Sequence, residues 1–554
     1  MGKFNKLYTE KGWNLNEEPW QKYPRPQLKR DSFFSLNGEW DFSVGNESYN
    51  KKITVPFCPE SILSGVNEIF DEKETLFYRK NFSLPEDFNK GRVILHFGAV
   101  DQVCFVTLNG KSVGSHKGGY DAFSFDITDF LSTDNVLTVA VNDTLSDNIL
   151  PYGKQKRNRG GMWYTGVSGI WQSVWCESVP EKHIKSLKID VTLNTADITF
   201  DGIENGFVTV ENMTFDIVNS HAHIKIENPN NWTPENPYLY FFTANSGKDK
   251  IQSYFALRTL RIEGNKLLLN EKPYFFHGIL DQGYFSDGIY TPACEDSYTD
   301  DILKMKDLGF NMLRKHIKVE PEIYYYECDR LGMAVFQDMV NNSDYSFIRD
   351  TVLPTVFSIR KDDEKCHTNT ETRDAFISCM KKTVVQLYNH PCVVEWTIFN
   401  EGWGQFCADD MYAQLKQMDS SRFIDSASGW FKVKNNDFNS LHIYFKPLKA
   451  KTSKKPLFIS EFGGYSYKIK GHSFNIENTY GYGKYDSKEK FVSSVRQLYE
   501  NQVIPLKEKG LCATVYTQLS DVEDETNGLL TYDRKVQKIS PDEFYEISEK
   551  LKEI

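Results

Sequence analysis

The chain has 554 residues and a formal net charge of −11, more than one ordinary domain holds, so two to four domains are expected. The acidic balance speaks against a nucleic-acid partner, whose affinity rests on Lys and Arg neutralising phosphates, and no apolar run approaches the ~18 residues of a membrane helix. Ten cysteines without a C-x-x-C pair, and no Cys/His cluster at ligand spacing, argue against structural zinc; with a start, Met1-Gly2-Lys3-Phe4-Asn5-Lys6, that has no apolar run, they lead to the expectation of a cytoplasmic protein with reduced thiols.

Residues 1 to about 180 read as β structure. Alternating runs such as Arg92-Val93-Ile94-Leu95-His96-Phe97 and Val103-Cys104-Phe105-Val106-Thr107-Leu108 are cut by turn signals. Asn109-Gly110 after the second run is a strong hairpin signal. No helical period of useful length appears, so a β-sandwich of jelly-roll type is expected. Residues 181 to about 262 continue with short strands, then reach the proline-rich connection Asn228-Pro229-Asn230-Asn231-Trp232-Thr233-Pro234-Glu235-Asn236-Pro237. About 80 residues of this kind suit a small immunoglobulin-like sandwich.

From about residue 263 to 554 the pattern changes to strands alternating with amphipathic helices, which implies parallel strands with helical crossovers. Eight strand candidates can be placed: Tyr274–His277, Asn311–His316, Ala334–Asp338, Val393–Phe399, Phe423–Ser426, Leu441–Tyr444, Leu457–Ser460 and Ala513–Leu519. Helices are expected over Asp300–Leu308, over Pro321–Leu331 with proline in the first turn, and over Thr372–Tyr388. This is the make-up of a (β/α)8 TIM barrel, which typically needs ~250 residues.

Barrel enzymes carry their chemistry at the C-terminal ends of the strands. The fourth candidate runs on into Asn400-Glu401-Gly402-Trp403, and the seventh into Glu461-Phe462-Gly463-Gly464. Each presents one glutamate where an apolar strand leaves the core. Two carboxylates across a barrel mouth fit glycoside hydrolysis, in which one gives a proton to the leaving oxygen and the other, ionised, attacks the anomeric carbon. The blander alternative is that each glutamate caps a helix or pairs with an arginine; their joint presence on the fourth and seventh strands favours chemistry. His277, His316 and His442 also end strand candidates and keep a metal-dependent barrel hydrolase as a rival.

The residues also resemble a known family over nearly the whole chain. Leu36-Asn37-Gly38-Glu39-Trp40-Asp41-Phe42 and Gly166-Val167-Ser168-Gly169-Ile170-Trp171-Gln172 look like the sugar-binding domain of glycoside hydrolase family 2; Asn400-Glu401 is similar to its acid/base motif, Ile459-Ser460-Glu461-Phe462-Gly463-Gly464 to its nucleophile motif, and Asn311-Met312-Leu313-Arg314-Lys315-His316 to its second barrel strand. The resemblance implies jelly-roll, immunoglobulin-like and barrel domains in that order, and a retaining double displacement. It makes Glu401 the acid/base and Glu461 the nucleophile, with Asn400 on the sugar 2-hydroxyl, Arg314 holding the nucleophile ionised and Tyr444 beside it. His316, Asp281 and Asp521 are further candidates for substrate binding. No cofactor and no metal are expected; the partner is a small-molecule or oligosaccharide glycoside, and a homo-oligomer is left open.

Two departures bear on the sugar. Family members often carry Trp at the end of the eighth strand, where this chain has Gln518 in Tyr516-Thr517-Gln518-Leu519-Ser520-Asp521. The family's β-glucuronidases grip the sugar carboxylate with Asn-x-Lys, and the nearest counterpart here, Asn527-Gly528-Leu529, lacks the lysine. The expected activity is that of an exo-acting β-glycosidase on a terminal sugar, with β-galactosidase first and β-mannosidase, β-glucuronidase and α-L-arabinopyranosidase as alternatives. A non-catalytic carbohydrate-binding protein is the rival from another class, though it would be expected to have lost one of the two glutamates.

Overall fold

The computed structural model describes residues 4–15, 18–353, 363–431, 433–444, 446–449 and 453–553; Met1 to Lys3, on which the reading of the N-terminus partly rests, fall outside them. Residues 33–179 form two antiparallel sheets. One has six strands in the order Lys51–Val55, Gly38–Val44, Leu76–Phe82, Asn135–Asn142, Val103–Leu108 and Lys111–Lys117; the other has four, Phe33–Ser35, Val174–Val179, Arg92–Phe97 and Phe123–Asp126. Period-two alternation builds the core between them. Leu137, Val139 and Val141 bury one face of their strand and lie opposite Leu108, Val106 and Cys104 of the next. Asn109 and Gly110 both take positive φ, 52° and 75°, and close the expected hairpin.

The next sandwich packs a three-stranded sheet (Ser186–Val191, Thr195–Asp201, His221–Lys225) on a four-stranded one (Met213–Ile217, Gly206–Val210, Tyr240–Ser246, Asp249–Phe255), around Ile198, Val208, Ala244 and Ile251. Its proline-rich connection is docked on the barrel: Trp232 is fully buried and its indole N–H donates to the Asp329 carbonyl at 2.8 Å. The chain before the first sandwich also lies on the barrel. Leu7 and Trp20 belong to the barrel's core, and Thr9 donates from its amide to Asp287 at 2.8 Å.

The barrel strands are β1 (Phe276–Asp281), β2 (Met312–Lys315), β3 (Ala334–Asp338), β4 (Val393–Thr397), β5 (Phe423–Asp425), β6 (Asn439–Ile443), β7 (Leu457–Gly463) and β8 (Leu511–Thr517). They pair in parallel in the order β5-β4-β3-β2-β1-β8-β7-β6. Among the described residues β5 and β6 share no ladder, so the sheet is open at one seam. Helices α1 (Asp296–Asp307), α2 (Glu322–Leu331) and α3 (Thr370–Leu387) fall where amphipathic periods predict them. Pro321 is the residue before α2 rather than its first, with extended ψ of 146°. β1 starts later than Tyr274 because the preceding residues are drawn into an antiparallel ribbon, Lys266–Leu269 with Lys272–Pro273. β7 does not stop at Ser460: it runs on to Gly463, with its register broken around Ser460–Glu461 against both neighbours. Such an irregularity re-aims the side chains next to it.

One segment of the first sandwich reaches into the barrel mouth. Tyr152 donates from its amide to the Asn341 carbonyl at 3.0 Å and from its hydroxyl to the Ser343 carbonyl at 2.7 Å. Gly153 follows at φ +69°, and a Cβ there would lie 2.8 Å from the Ile317 carbonyl oxygen. Both the backbone conformation and the close approach demand glycine. Gly153→Ala should therefore destabilise the docked state by about 1–3 kcal/mol, read as a lower thermal midpoint. An unchanged midpoint would mean that this segment does not depend on the contact.

Candidate active site

The site is built around Arg314. Its neighbour Lys315 shares a face of the sheet with Asp281, opposite it in register, while Arg314 points the other way into the barrel. The guanidinium is fully buried, and its five N–H groups reach five acceptors: Nε to Asp338 Oδ1 on β3 at 2.9 Å, Nη1 to the Ser460 carbonyl at 2.9 Å and Glu461 Oε1 at 3.1 Å, and Nη2 to Ser428 Oγ at 2.9 Å and Asn400 Oδ1 at 3.1 Å. Burial alone would weaken its charge, but Asp338 and Glu461 outweigh that and hold its pKa above the usual arginine value.

Glu461 is buried and both oxygens accept hydrogen bonds, Oε1 from Arg314 and Oε2 from the Tyr444 hydroxyl at 2.5 Å. Burial pushes its carboxyl up; His442 and Arg314 outweigh burial and hold it below the ordinary carboxylate range. Glu401 sits at φ +51°, a conformation that costs a non-glycine residue about 1–2 kcal/mol. Its amide is held by the Ser428 carbonyl at 3.0 Å and its carboxylate meets His442 Nδ1 at 2.8 Å. Oxygens of Glu401 and Glu461 and a ring nitrogen of His442 all lie within 4.8 Å of one another. Two carboxylates and an imidazole could hold a divalent cation, but both Glu461 oxygens already face donors and a guanidinium stands beside them. The donor set suits a shared proton better than a second cation.

Tyr444 also meets Thr517 Oγ1 at 2.9 Å and stacks on Tyr482 with ring centroids 4.2 Å apart. His316 lies one step further out, with Nδ1 2.7 Å from Asp338 Oδ2. Burial pushes its pKa to about 4 in spite of Asp338, so the ring is neutral at neutral pH. Asp281 and Asp521 are engaged by partners outside the Arg314 cluster. Asp281 accepts from Lys315 at 2.6 Å and from the Tyr324 hydroxyl at 3.1 Å; Asp521 accepts from Lys538 at 2.6 Å and the Gly528 amide at 2.9 Å. Gln518 donates to Glu525 at 2.7 Å and Asn527 at 2.9 Å, and accepts from Gln282 at 2.8 Å.

Several residues of the site escaped sequence reasoning. Asp338 had a signal, a polar residue ending an apolar strand. His442 was visible only as one of the histidines that kept a metal-dependent rival open, and Ser428, in a loop, had no signal. Trp163 comes from the first sandwich and stacks on Trp403, two residues past Glu401, with centroids 5.0 Å apart; Tyr345 closes edge-on against both rings. Aromatic faces of this kind suit the apolar faces of sugar rings.

The buried ion pairs set a test of the site's electrostatics. Glu461 contributes stability above the ~4.3 of a free glutamate, and that contribution is lost as pH falls through its lower folded value. Arg314→Met leaves Asp338 and Glu461 unpaired and should cost about 3–5 kcal/mol at neutral pH. The deficit in thermal midpoint should shrink as pH is lowered and the stranded carboxylates protonate. A deficit independent of pH would mean that packing, not charge, is Arg314's contribution.

Comparison with known proteins fits this geometry. A β-galactosidase of Thermoanaerobacter pseudethanolicus is 23% identical over 479 residues, covering 79% of this chain and 60% of the relative, so the match spans less than two thirds of that protein. Among solved structures, a β-D-glucuronidase of Dictyoglomus thermophilum superposes with a TM-score of 0.74 at 19% identity, covering 96% of this chain and 99% of the other. A β-galacturonidase of Eisenbergiella tayi superposes with a TM-score of 0.69 at 18% identity, over 96% and 99% of the two chains. At such identities these structures are similar in fold. Family models match in succession: the galactose-binding-domain-like model at residues 49–164, the glycosyl hydrolases family 2 model at 176–258, and that family's TIM barrel domain at 260–538. The last alone takes in half of the sequence, and the chain belongs to glycosyl hydrolase family 2.

Proposed function

We propose that the protein is a retaining exo-β-glycosidase working by double displacement. The observation that carries this reading is the pair Glu401 and Glu461, with oxygens within 4.8 Å of each other. A retaining pair stands ~5–5.5 Å apart, whereas an inverting pair needs ~6.5–9.5 Å to admit a water. Glu461, held ionised by Arg314, attacks the anomeric carbon while Glu401 gives its proton to the departing oxygen. A water then attacks the glycosyl ester, Glu401 takes its proton, and Glu461 leaves as the carboxylate. Asn400 supports the scheme: its Oδ1 is taken by Arg314 and Ser428, which leaves its amide N–H groups to donate to a sugar hydroxyl. Hydrogen bonds to the 2-hydroxyl strengthen in this class of transition state.

A β-galactoside is the substrate put first from the sequence, and relatives named β-galactosidase, β-glucuronidase and β-galacturonidase frame the choice as one between neutral and acidic sugars. Among the described residues no helix is long and apolar enough to cross a membrane. A cytoplasmic site of action is part of the same proposal, supported by ten cysteines that are all unpaired.

Two substitutions test the division of labour. Glu461→Ala should abolish turnover, and azide should restore part of it by giving an α-glycosyl azide; rescue that yields a β-azide would make Glu461 something other than the nucleophile. Glu401→Gln should cost ~10²–10⁴-fold on glycosides with poor leaving groups and little on dinitrophenyl glycosides, with a burst as the glycosyl-enzyme accumulates. Equal losses on both, with no burst, would demote Glu401 to a binding residue.

A further inference from the structure

Among the described residues, Lys154 is the buried lysine that no carboxylate holds by a close ion pair. It is buried, at 7% exposure. Its ammonium stands over the rings of Tyr164 at 5.6 Å and Trp403 at 5.3 Å, and its charge acts on His316 and Glu525. Among the described residues no carboxylate or carbonyl binds it. The other buried lysines each have a carboxylate: Lys315 has Asp281 and Glu320, Lys318 has Glu320, and Lys538 has Asp521. Nor is the Lys154 nitrogen one of the polar atoms sealed from solvent without a partner, so it keeps some contact with water. Gly153 and Tyr152, docked on the barrel loops, hold the segment that sets it beside Trp403. Two residues on, and so on the same face of an extended chain, Lys156 stands over Trp163 at 4.7 Å, also without a carboxylate among the described residues.

A buried ammonium with no hydrogen-bonded carboxylate is costly, and an aromatic shelf and the more distant charge of Glu525 offset only part of that cost. We propose that Lys154 is the contact for a carboxylate on the terminal sugar, so that the glycone is a hexuronic acid. This rests on the glycosidase reading for the position of the sugar and adds its chemical class. Asn527-Gly528-Leu529 offers no cation from the barrel, and Asn527 is engaged by Gln518; the first sandwich brings one in instead. A sugar that ends in CH2OH would leave the ammonium unpaired, whereas a uronate closes a charge-assisted hydrogen bond. The competing role for Lys154 is to offset the negative charge of Glu525.

Binding and turnover separate these. Free glucuronate and galacturonate, with glucose and galactose, are titrated by calorimetry into wild type, Lys154→Met and Lys154→Arg; aryl β-uronides and aryl β-galactosides are compared as substrates of the same three proteins. The expected result is a preference of wild type for the uronates that falls roughly ten- to hundredfold in Lys154→Met and is largely recovered in Lys154→Arg, with no fall in thermal midpoint. A wild type that turns over β-galactosides without favouring uronates overturns the proposal and leaves the glycosidase reading intact. Uronate binding that depends on Lys154, without turnover of any glycoside, upholds the proposal and overturns that reading. If Lys154→Met lowers the thermal midpoint and weakens both sugar classes equally, Lys154 offsets charge and the proposal falls.

Discussion

The guanidinium of Arg314 is the constraint on which the site depends. Its five donors lie in one rigid plane, so the five acceptors, drawn from β3, β7 and the loops after β4 and β5, have only one arrangement that satisfies them all. Glu461 is thereby fixed and kept charged, and Asn400 is held by its Oδ1. Ser428, gripped through its hydroxyl, holds the amide of Glu401 through its carbonyl. The same group spans the seam where the barrel has no ladder: Ser428 follows β5, His442 lies on β6, and they meet at 3.2 Å beside the guanidinium. The Ile424 amide donating to Asp437 at 2.9 Å adds a second stitch.

Charge in the barrel is balanced by neutralising groups as well as by pairing. Beneath Arg314, Glu395 is buried on β4, and burial together with Asp425 and Asp338 pushes its carboxyl well above the usual range. It therefore takes up a proton more readily than Asp338 and Glu461, which are held below the usual range. His316 is driven the other way, to about 4, and stays neutral.

Much of the architecture was legible in the sequence because each barrel strand is an apolar run between polar stops, and such runs need no distant information. Glu401 and Glu461 were legible for the same reason: each is the first acid past an apolar strand. The limits were equally physical. Ile459-Ser460-Glu461 looks like a strand end, but the broken register that aims Glu461 depends on pairing with β6 on one side and β8 on the other, and no local pattern encodes it. Asp521 is a polar residue at a strand end by pattern, yet Lys538 claims it, and that lysine lies in a segment with no mark of its own. Ser428, Trp163 and Lys154 sit in turns and short loops whose side chains acquire meaning only once the sandwich is docked on the barrel.

That docking separates two properties that most small enzymes keep on one scaffold. The carboxylates and their arginine belong to the barrel, while the indole of Trp163 and the ammonium of Lys154 arrive from a module that is folded around its own core. If the proposed reading holds, the bond-breaking machinery and the surface that surveys incoming sugars have different mutational addresses. Drift in the loop at residues 152–163 would then retune what is accepted while the reaction itself stays shielded, and a barrel recombined with a foreign sandwich would inherit that partner's tastes along with its fold.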